Sequence, residues 1–215
     1  MFIFNFIKKI YYKFLGPLLY GKIKIFNRHN SYEDYLAHQK EKTTDPARIA
    51  KWKGKEWDIK VDGFRNLFNR NIDYVKNKKN SICLGARTGQ EVYVLRELGL
   101  QSIGIDLVPF PPFTVEGDIH NLSYKDEQFD LVFTNILDHS LYLDKFISEM
   151  ERVCKKNGNI IINIAINNIG DKYSENMINS PEEVEKLFHN SKVVVSKNVK
   201  NTFDELNYEI VFEKK

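Results

Sequence analysis

Hydrophobic positions along this chain follow two different spacings, and the two alternate. Apolar side chains recur at helical spacing over residues 61–75, 92–98 and 143–153. Continuous apolar runs, each short enough for one buried strand, lie at residues 81–84, 102–107, 129–135, 159–166, 193–196 and 208–212. Strands that alternate with helices predict an α/β fold with a doubly wound, mostly parallel sheet.

The end of the chain carries a helix signal and a hairpin signal. Ser180-Pro181-Glu182-Glu183 has the pattern of a capping box with proline at the first helical position, and it predicts a helix to about His189. A non-helical loop joins the last two apolar runs, so we expect them to form an antiparallel hairpin. We divide the chain into an N-terminal segment (1–30), a polar and aromatic linker (31–57) and an α/β domain (58–215).

Charge is distributed unevenly. Residues 1–30 carry six basic and no acidic side chains; the remainder carries 26 basic against 29 acidic ones, which gives the formal net charge of +3. The segment is basic and amphipathic, but it contains no 18-residue apolar run and no signal-peptide pattern. Two interpretations stay open: residues 1–26 contact a membrane surface, or they pack on the domain or on a second subunit. Nucleic acid is not an expected partner.

The two cysteines, Cys83 and Cys154, fall in apolar segments and have no metal-ligand spacing. Two cysteines without a disulfide pattern favour a reducing compartment, so we expect a cytoplasmic protein. The N-terminal segment also allows association with a membrane surface. No metal site is predicted.

A glycine turn between a predicted strand and a predicted helix is the strongest functional signal. Gly85 and Gly89 lie four residues apart, directly after the run 81–84. Such a turn lets backbone approach a ligand closely and points a helix N-terminus at it. Asp106 ends the next strand seventeen residues after Gly89, where an acidic side chain can bind ribose hydroxyls. These features predict half of a nucleotide-cofactor site.

The spacing of the turn narrows the choice of nucleotide. A dinucleotide site needs G-x-G-x-x-G, but Arg87 stands at the middle position, and no Gly-Lys-Ser/Thr follows for a Walker loop. A nicotinamide oxidoreductase is therefore disfavoured. With Gly117-Asp118, the strand that begins Phe129-Asp130, and residues 149–165 with their Lys-Asn-Gly turn, the chain resembles class I S-adenosylmethionine (SAM) dependent methyltransferases. The resemblance spans residues 81–165 and implies a Rossmann-like, seven-stranded sheet with a C-terminal antiparallel strand.

The chain departs from the family's usual pattern at three places. Cys83 stands where an acidic residue is usual, and Arg87 where glycine is usual. The link from Asp106 to Asp118 is short and proline-rich, where most members place a helix. In its sequence the glycine turn resembles that of a subset of largely uncharacterised methyltransferase-like proteins, including plant ones. The shared stretch is Cys-Leu-Gly-Ala-Arg-Thr-Gly-Gln-Glu.

The resemblance assigns SAM-binding roles to particular residues. Asp106 is expected at the ribose, or alternatively as a cap of the following turn; Asp118 and Ile119 are expected at the adenine, or alternatively in a surface loop. Arg87 is expected to pair with the methionine carboxylate or to bridge to Glu91 at the surface. The remaining expected cofactor residues are Gly85, Gly89, Leu107 and Asn135.

Catalytic candidates follow the fourth strand. The resemblance places Asp138 and His139 near the transferred methyl, where a base would serve a hydroxyl or amine acceptor. The alternatives are a structural histidine and an Asp138 that caps the next helix. The linker 31–57 is implied as a lid, with His38, Gln39 and Trp52 lining an acceptor pocket or simply anchoring a solvated segment.

The sequence therefore favours a methyltransferase with SAM as cofactor. We expect its acceptor to be a small molecule, a glycan or a lipid-linked precursor. A catalytically inactive methyltransferase-like binding protein is the alternative that the departures at Cys83 and Arg87 motivate. The sequence gives no oligomeric state.

Overall fold

The structure is a computed structural model that describes residues 23–26, 28–200 and 205–215. Most of the segment 1–26, on which the membrane hypothesis rests, lies outside the described residues. Within the described ranges, no helix is long and apolar enough to cross a membrane.

A mixed sheet of seven strands forms the centre of the domain. Its order is β4-β3-β2-β5-β6-β9-β8, and β9 runs antiparallel to both of its neighbours while the other pairs from β4 to β6 are parallel. The strands are β2 (Asn80–Leu84), β3 (Gln101–Asp106), β4 (Thr114–Glu116), β5 (Phe129–Thr134), β6 (Cys154–Ile164), β8 (Ser191–Asn198) and β9 (Tyr208–Lys214). The predicted doubly wound sheet with its antiparallel C-terminal strand is confirmed.

Helices cover both faces of this sheet. They are α1 (Tyr32–Thr44), α2 (Pro46–Lys53), α3 (Trp57–Arg70), α4 (Ile72–Val75), α5 (Gln90–Glu97), α6 (Leu143–Val153) and α7 (Pro181–Glu185). Strand β2 shows why two layers are needed, because alternate side chains of a strand point to opposite faces. Ile82 and Leu84 pack with Phe146 of α6, while Cys83 packs with Phe68 of α3.

A small second sheet lies outside the predicted layout. Strand β1 (Ile23–Ile25) pairs antiparallel with β7 (Asn176–Ile178), and Ile23 is buried in the main core. The Phe26 N–H adds a 2.8 Å hydrogen bond to the Glu175 carbonyl. The end of the segment 1–30 is therefore part of the folded domain, which corrects the boundary drawn at residue 30.

Two helices are shorter than predicted. The helix expected over 61–75 breaks at Asn71, whose side-chain amide donates to the Leu67 carbonyl and to Glu209. The helix expected from 180 to about 189 ends at Glu185. The Ser180 hydroxyl donates to the Glu182 carboxylate, so the helix begins without the predicted side-chain cap.

Candidate functional site

The main cavity lies where the strand order reverses. The chain winds outward from β2 through β3 to β4 on one side and continues through β5 to β6 on the other. Ligands of doubly wound sheets bind at this point, beyond the carboxyl ends of the strands. The cavity measures about 570 Å³ including its mouth. Its walls include residues that follow β2, β3, β4 and β5.

Most of the predicted cofactor residues meet in this cavity. Those that line it are Gly85, Arg87, Asp106, Leu107, Asp118, Ile119 and His139. Gly89, Asn135 and Asp138 do not line it. The cavity wall also contains Gly117, Ile136 and five residues of helix α1, namely Tyr35, Leu36, Gln39, Lys42 and Thr43.

Gly85 needs to be glycine for two reasons. Its φ of +75° lies in the left-handed region, which side chains with a Cβ rarely adopt. A Cβ there would also lie 2.3 Å from Ile136 Cδ1, far inside van der Waals contact. The absence of a side chain lets Ile136 and the turn form one wall of the cavity.

Gly89 has a different role from the expected approach to the cofactor. It precedes α5 with φ of +83°, and a Cβ would lie 2.3 Å from Phe113 Cβ. Phe113 is the residue just before β4. The glycine is thus required by the packing of α5 against the link that follows Asp106.

The backbone donors of the turn are largely used within the fold. The N–H groups of Gly85 and Ala86 both donate to the Ile105 carbonyl, and that of Gly89 donates to Ala86. The Arg87 N–H donates to Asp106 Oδ2 at 2.8 Å. A pyrophosphate cradle needs such amides free to face the ligand, so this geometry also disfavours a dinucleotide.

Asp106 joins β3 to the glycine turn. Its carboxylate is buried and accepts from the Arg87 N–H and, at 3.1 Å, from the Val108 N–H. The second bond is the turn cap that the sequence gave as an alternative, and it coexists with a position on the cavity wall. Burial raises the pKa of Asp106, and the hydrogen bonds from Val108 and Arg87 oppose that rise.

Asp118 is held by a buried polar network. Tyr32 donates to its Oδ2 at 2.6 Å, and the His120 N–H donates to Oδ1 at 2.8 Å. Burial alone would raise the pKa of Asp118, but the hydrogen bonds from His120 and Tyr32 outweigh it and lower the pKa to about 2. His120 is fully buried and accepts from the Ser140 hydroxyl at 2.8 Å. Asp118 is therefore fixed on the cavity wall, not placed in a free surface loop.

Arg87 faces the cavity with its guanidinium 5.2 Å from the ring centroid of Trp52. Glu91 is buried, so the surface bridge between these two residues is not the arrangement observed. Burial is the main cause that raises the pKa of Glu91, to about 7. Trp52 lies under Arg87 and does not line the main cavity, which corrects its expected place in the acceptor pocket.

Asn135 belongs to a second, smaller cavity. This space of about 280 Å³ lies behind the glycine turn and is also lined by Arg87, Glu91 and Lys60. Arg87 therefore stands on the wall of both cavities. Asn135 faces the second one because Ile136 takes the position next to Gly85.

His139 and Asp138 lie in a 3-10 turn, Leu137–His139, which sequence spacing did not reveal. His139 Nδ1 donates to the Tyr173 carbonyl at 2.9 Å, and Lys42 Nζ lies 3.3 Å from His139 Nε2. Asp138 does not cap helix α6, whose first turn follows Tyr142. It accepts instead from the Ser174 hydroxyl at 2.7 Å and so fixes the loop after β6.

Helix α1 supplies the side of the cavity that faces the strand ends. Gln39 lines it, as expected, and donates to the Tyr173 carbonyl at 2.8 Å. His38 points away from it and contacts the Lys172 carbonyl and the Tyr173 ring. Tyr35 and Lys42 were not singled out by the sequence, because only the packing of α1 brings them to the strand ends.

The family comparison agrees with this geometry. Residues 82–162 match a family described as a methyltransferase domain, and the matched stretch runs from β2 to β6. Over residues 82–162 this chain resembles a methyltransferase domain, and its fold is that of class I methyltransferases. The match covers the glycine turn, Asp106 and Asp118, the residues on which the sequence resemblance rested.

The individual proteins that this chain resembles share only a minority of its residues. Norajmaline N-methyltransferase from Rauvolfia serpentina is 32% identical over 117 residues, which is 46% of this chain and 39% of that enzyme. This chain thus matches less than half the length of that relative. A Burkholderia thailandensis 1,6-didemethyltoxoflavin-N1-methyltransferase, solved with its acceptor and S-adenosylhomocysteine (SAH), has a TM-score of 0.67 at 13% identity over 89% of this chain and 94% of its own.

A SAM-dependent methyltransferase from Archaeoglobus fulgidus shares the fold as well. Its TM-score is 0.58 at 17% identity, and the match covers 72% of this chain and 94% of that chain. At such identities the likeness establishes the fold of the methyltransferase domain.

Proposed function

We propose that this protein transfers a methyl group from SAM to a small-molecule acceptor. The observation that carries the proposal is the buried Asp106 carboxylate on the cavity wall beside Gly85. Each of its oxygens accepts one backbone hydrogen bond and keeps a second lone pair for a ribose hydroxyl. The SAH bound in the Burkholderia enzyme of the same fold supports the same cofactor.

The other cavity residues fit the remaining parts of SAM. Asp118 and Ile119 lie together beyond β4 and would bind the adenine amino group and ring; Leu107 would pack beside the ribose. Arg87 offers a guanidinium to the methionine carboxylate. These roles together describe one continuous ligand across the ends of β2, β3 and β4.

A small-molecule acceptor is supported by the relatives. The names of the Rauvolfia and Burkholderia enzymes specify small molecules as acceptors, with nitrogen as the methylated atom. The glycan and lipid-linked acceptors stay predictions from the sequence. Helix α1 and the 3-10 turn contribute to the opposite wall, so Gln39, Lys42 and His139 are the polar groups proposed to meet the acceptor.

An inactive binding protein is the second candidate, because Cys83 and Arg87 depart from the family pattern. Cys83 is fully buried in β2 and packs on the α3 side of the core. A small apolar residue suits that environment. The departure at Cys83 therefore has a packing reason that leaves the cavity wall intact, which favours the catalytic candidate.

Calorimetric titration of the full chain with SAM and SAH tests the proposal, with NAD as the control ligand. We expect both adenosyl ligands to bind and NAD not to bind. Mass spectrometry of incubations with small molecules that carry hydroxyl or amine groups then reports methylated products. A folded protein that binds neither SAM nor SAH would refute the methyltransferase; one that binds them yet methylates nothing would favour the inactive relative.

A further inference from the structure

Lys42 is a buried cation that the proposed cofactor site does not use. Its side chain is only 12% exposed, and it lines the main cavity from helix α1. Its Nζ lies 3.1 Å from Asp171 Oδ2 and 3.3 Å from His139 Nε2. Two acceptors from two different segments therefore hold this nitrogen at the cavity wall.

The hydrogen bonds of His139 decide which group can act as a base. The Tyr173 carbonyl can only accept, so His139 Nδ1 carries the proton in their 2.9 Å bond. In the neutral ring, Nε2 then has the free lone pair, and an N–H of Lys42 donates to it, which a neutral amine can do as well as an ammonium. The lone pair with which His139 would take a proton from the acceptor is already engaged by Lys42.

Burial and one neighbouring cation favour the neutral form of Lys42. Burial lowers its pKa most, and the positive Arg87 on the same cavity lowers it further, while Asp171 and Asp138 oppose this. The ionisable and charged groups that face Lys42 are Arg87 on the glycine turn, Asp138 and His139 on the 3-10 turn, and Asp171 and Tyr173 on the loop after β6. A sulfonium in this cavity adds one more positive charge.

We propose that Lys42, not His139, accepts the proton of the methyl acceptor, and that Asp171 and His139 position its Nζ. The proposal rests on the proposed methyl transfer and names the acceptor class as a neutral hydroxyl or amine. The acceptor atom forms a bond to the methyl carbon, the carbon–sulfur bond breaks with its electron pair going to sulfur, and the acceptor proton moves to the neutral Lys42 amine.

The charge balance of the cavity follows from this step. The positive charge leaves the sulfonium and appears on the Lys42 ammonium, so the net charge of the occupied cavity is unchanged. Asp171 and His139 Nε2 each accept a hydrogen bond from the new ammonium, which stabilises the product side. Protonated Lys42 and a sulfonium, in contrast, repel one another across the cavity.

This repulsion can be measured without knowing the acceptor. SAM and SAH differ by one methyl group and one positive charge, and Lys42→Met and Lys42→Gln supply the baseline ratio in which the ligands' own α-amino groups titrate without Lys42. We expect calorimetry on the full chain to show that the SAM-to-SAH affinity ratio, relative to that baseline, rises on the order of tenfold as the pH increases from 6 toward 10.5, the ordinary pKa of lysine.

His139→Gln is the matched control, because it removes the imidazole beside Lys42 but keeps a side chain that can accept a hydrogen bond from it. We expect that variant to keep the rise of the ratio. A parent ratio that matches the Lys42→Met ratio at every pH overturns the proposal, and so does a rise that survives in Lys42→Met but disappears in His139→Gln. Failure of both SAM and SAH to bind is a separate result that refutes the proposed function itself.

Discussion

Tyr32, the first residue of helix α1, donates a 2.6 Å hydrogen bond to Asp118 on the far side of the cavity. The two residues are 86 positions apart in the chain. This bond fastens the helix that carries Lys42 and Gln39 to the strand end that carries the predicted adenine-binding carboxylate. The acceptor side and the cofactor side of the cavity are thereby joined by one hydroxyl.

The bond predicts a pH-dependent loss of stability. The pKa of Asp118 is lowered to about 2 from an ordinary value of 3.8. Its ionised form therefore stabilises the fold above about pH 4, and this contribution is lost as the pH falls toward 2. Tyr32→Phe should cost about 1 kcal/mol in the free energy of unfolding at pH 6, since Asp118 is only half-buried, and less at pH 3.

Urea unfolding at both pH values measures this difference. Tyr142→Phe is the control, because Tyr142 stacks on the Tyr32 ring with centroids 5.6 Å apart but contributes no hydroxyl bond to Asp118. If Tyr32→Phe lowers the free energy of unfolding equally at pH 6 and pH 3, the stabilisation by the Tyr32 hydroxyl does not depend on the ionised Asp118 carboxylate.

Replacing Asp106 tests the ribose assignment. Asp106→Asn keeps the shape but removes the charge, and charge-assisted hydrogen bonds contribute roughly 1.5–3 kcal/mol. We expect SAM affinity to fall at least about tenfold. Asp130→Asn, at a carboxylate that binds the backbone at the opposite end of the sheet, should leave the affinity unchanged. Equal affinity in folded Asp106→Asn would remove the ribose role.

Gly85 allows backbone strain and side-chain contact to be separated. Gly85→Ala meets both a positive φ and Ile136, whereas Gly99→Ala has a positive φ of +91° and open space around its Cβ. We expect Gly99→Ala to cost about 1 kcal/mol and Gly85→Ala to cost more and to weaken SAM binding. Adding Ile136→Ala to Gly85→Ala should recover part of the SAM affinity. If the two glycine variants lose the same stability, Ile136 is not the constraint.

Truncation tests whether strand β1 belongs to the domain. Removing residues 1–28 deletes β1 and the buried Ile23, whereas removing residues 1–22 keeps them. Burial of one isoleucine contributes about 1.5–3 kcal/mol. The protein that lacks residues 1–28 should therefore unfold at a lower temperature than the protein that lacks residues 1–22. The same pair tests the membrane hypothesis, because loss of sedimentation with anionic liposomes on removing residues 1–22 would support it.

The proton acceptor can be assigned by turnover once a methylated small molecule is found. Lys42→Arg keeps a positive donor to Asp171 but cannot accept a proton near neutral pH. At saturating SAM we expect its turnover to fall about 10²–10⁴-fold, while its SAM-to-SAH affinity ratio stays low at every pH because the arginine keeps its charge. His139→Gln should fall less, because glutamine can still accept from Lys42. The reverse order of the two losses would return the role of base to His139.

The sequence predicted those parts of the site that are fixed by local chemistry. Gly85 and Asp106 follow directly from strands, so the turn and the carboxylate could be located from spacing alone. Lys42 and the bond from Tyr32 to Asp118 could not, because only the packing of helix α1 brings these side chains to the strand ends. The alternative that Asp138 caps the next helix is wrong, because a 3-10 turn that the sequence did not predict places Asp138 opposite Ser174.

The position of β9 has a consequence for the order in which the sheet can assemble during synthesis. Strand β9 lies between β6 and β8, and β8 pairs with no other strand of the described sheet. When synthesis has reached the end of β8, that strand therefore has no partner, and the edge of β6 that will bind β9 is still open. Until residues 208–214 emerge, that apolar edge is available for wrong pairing, so we expect this half of the domain to depend most on chaperones.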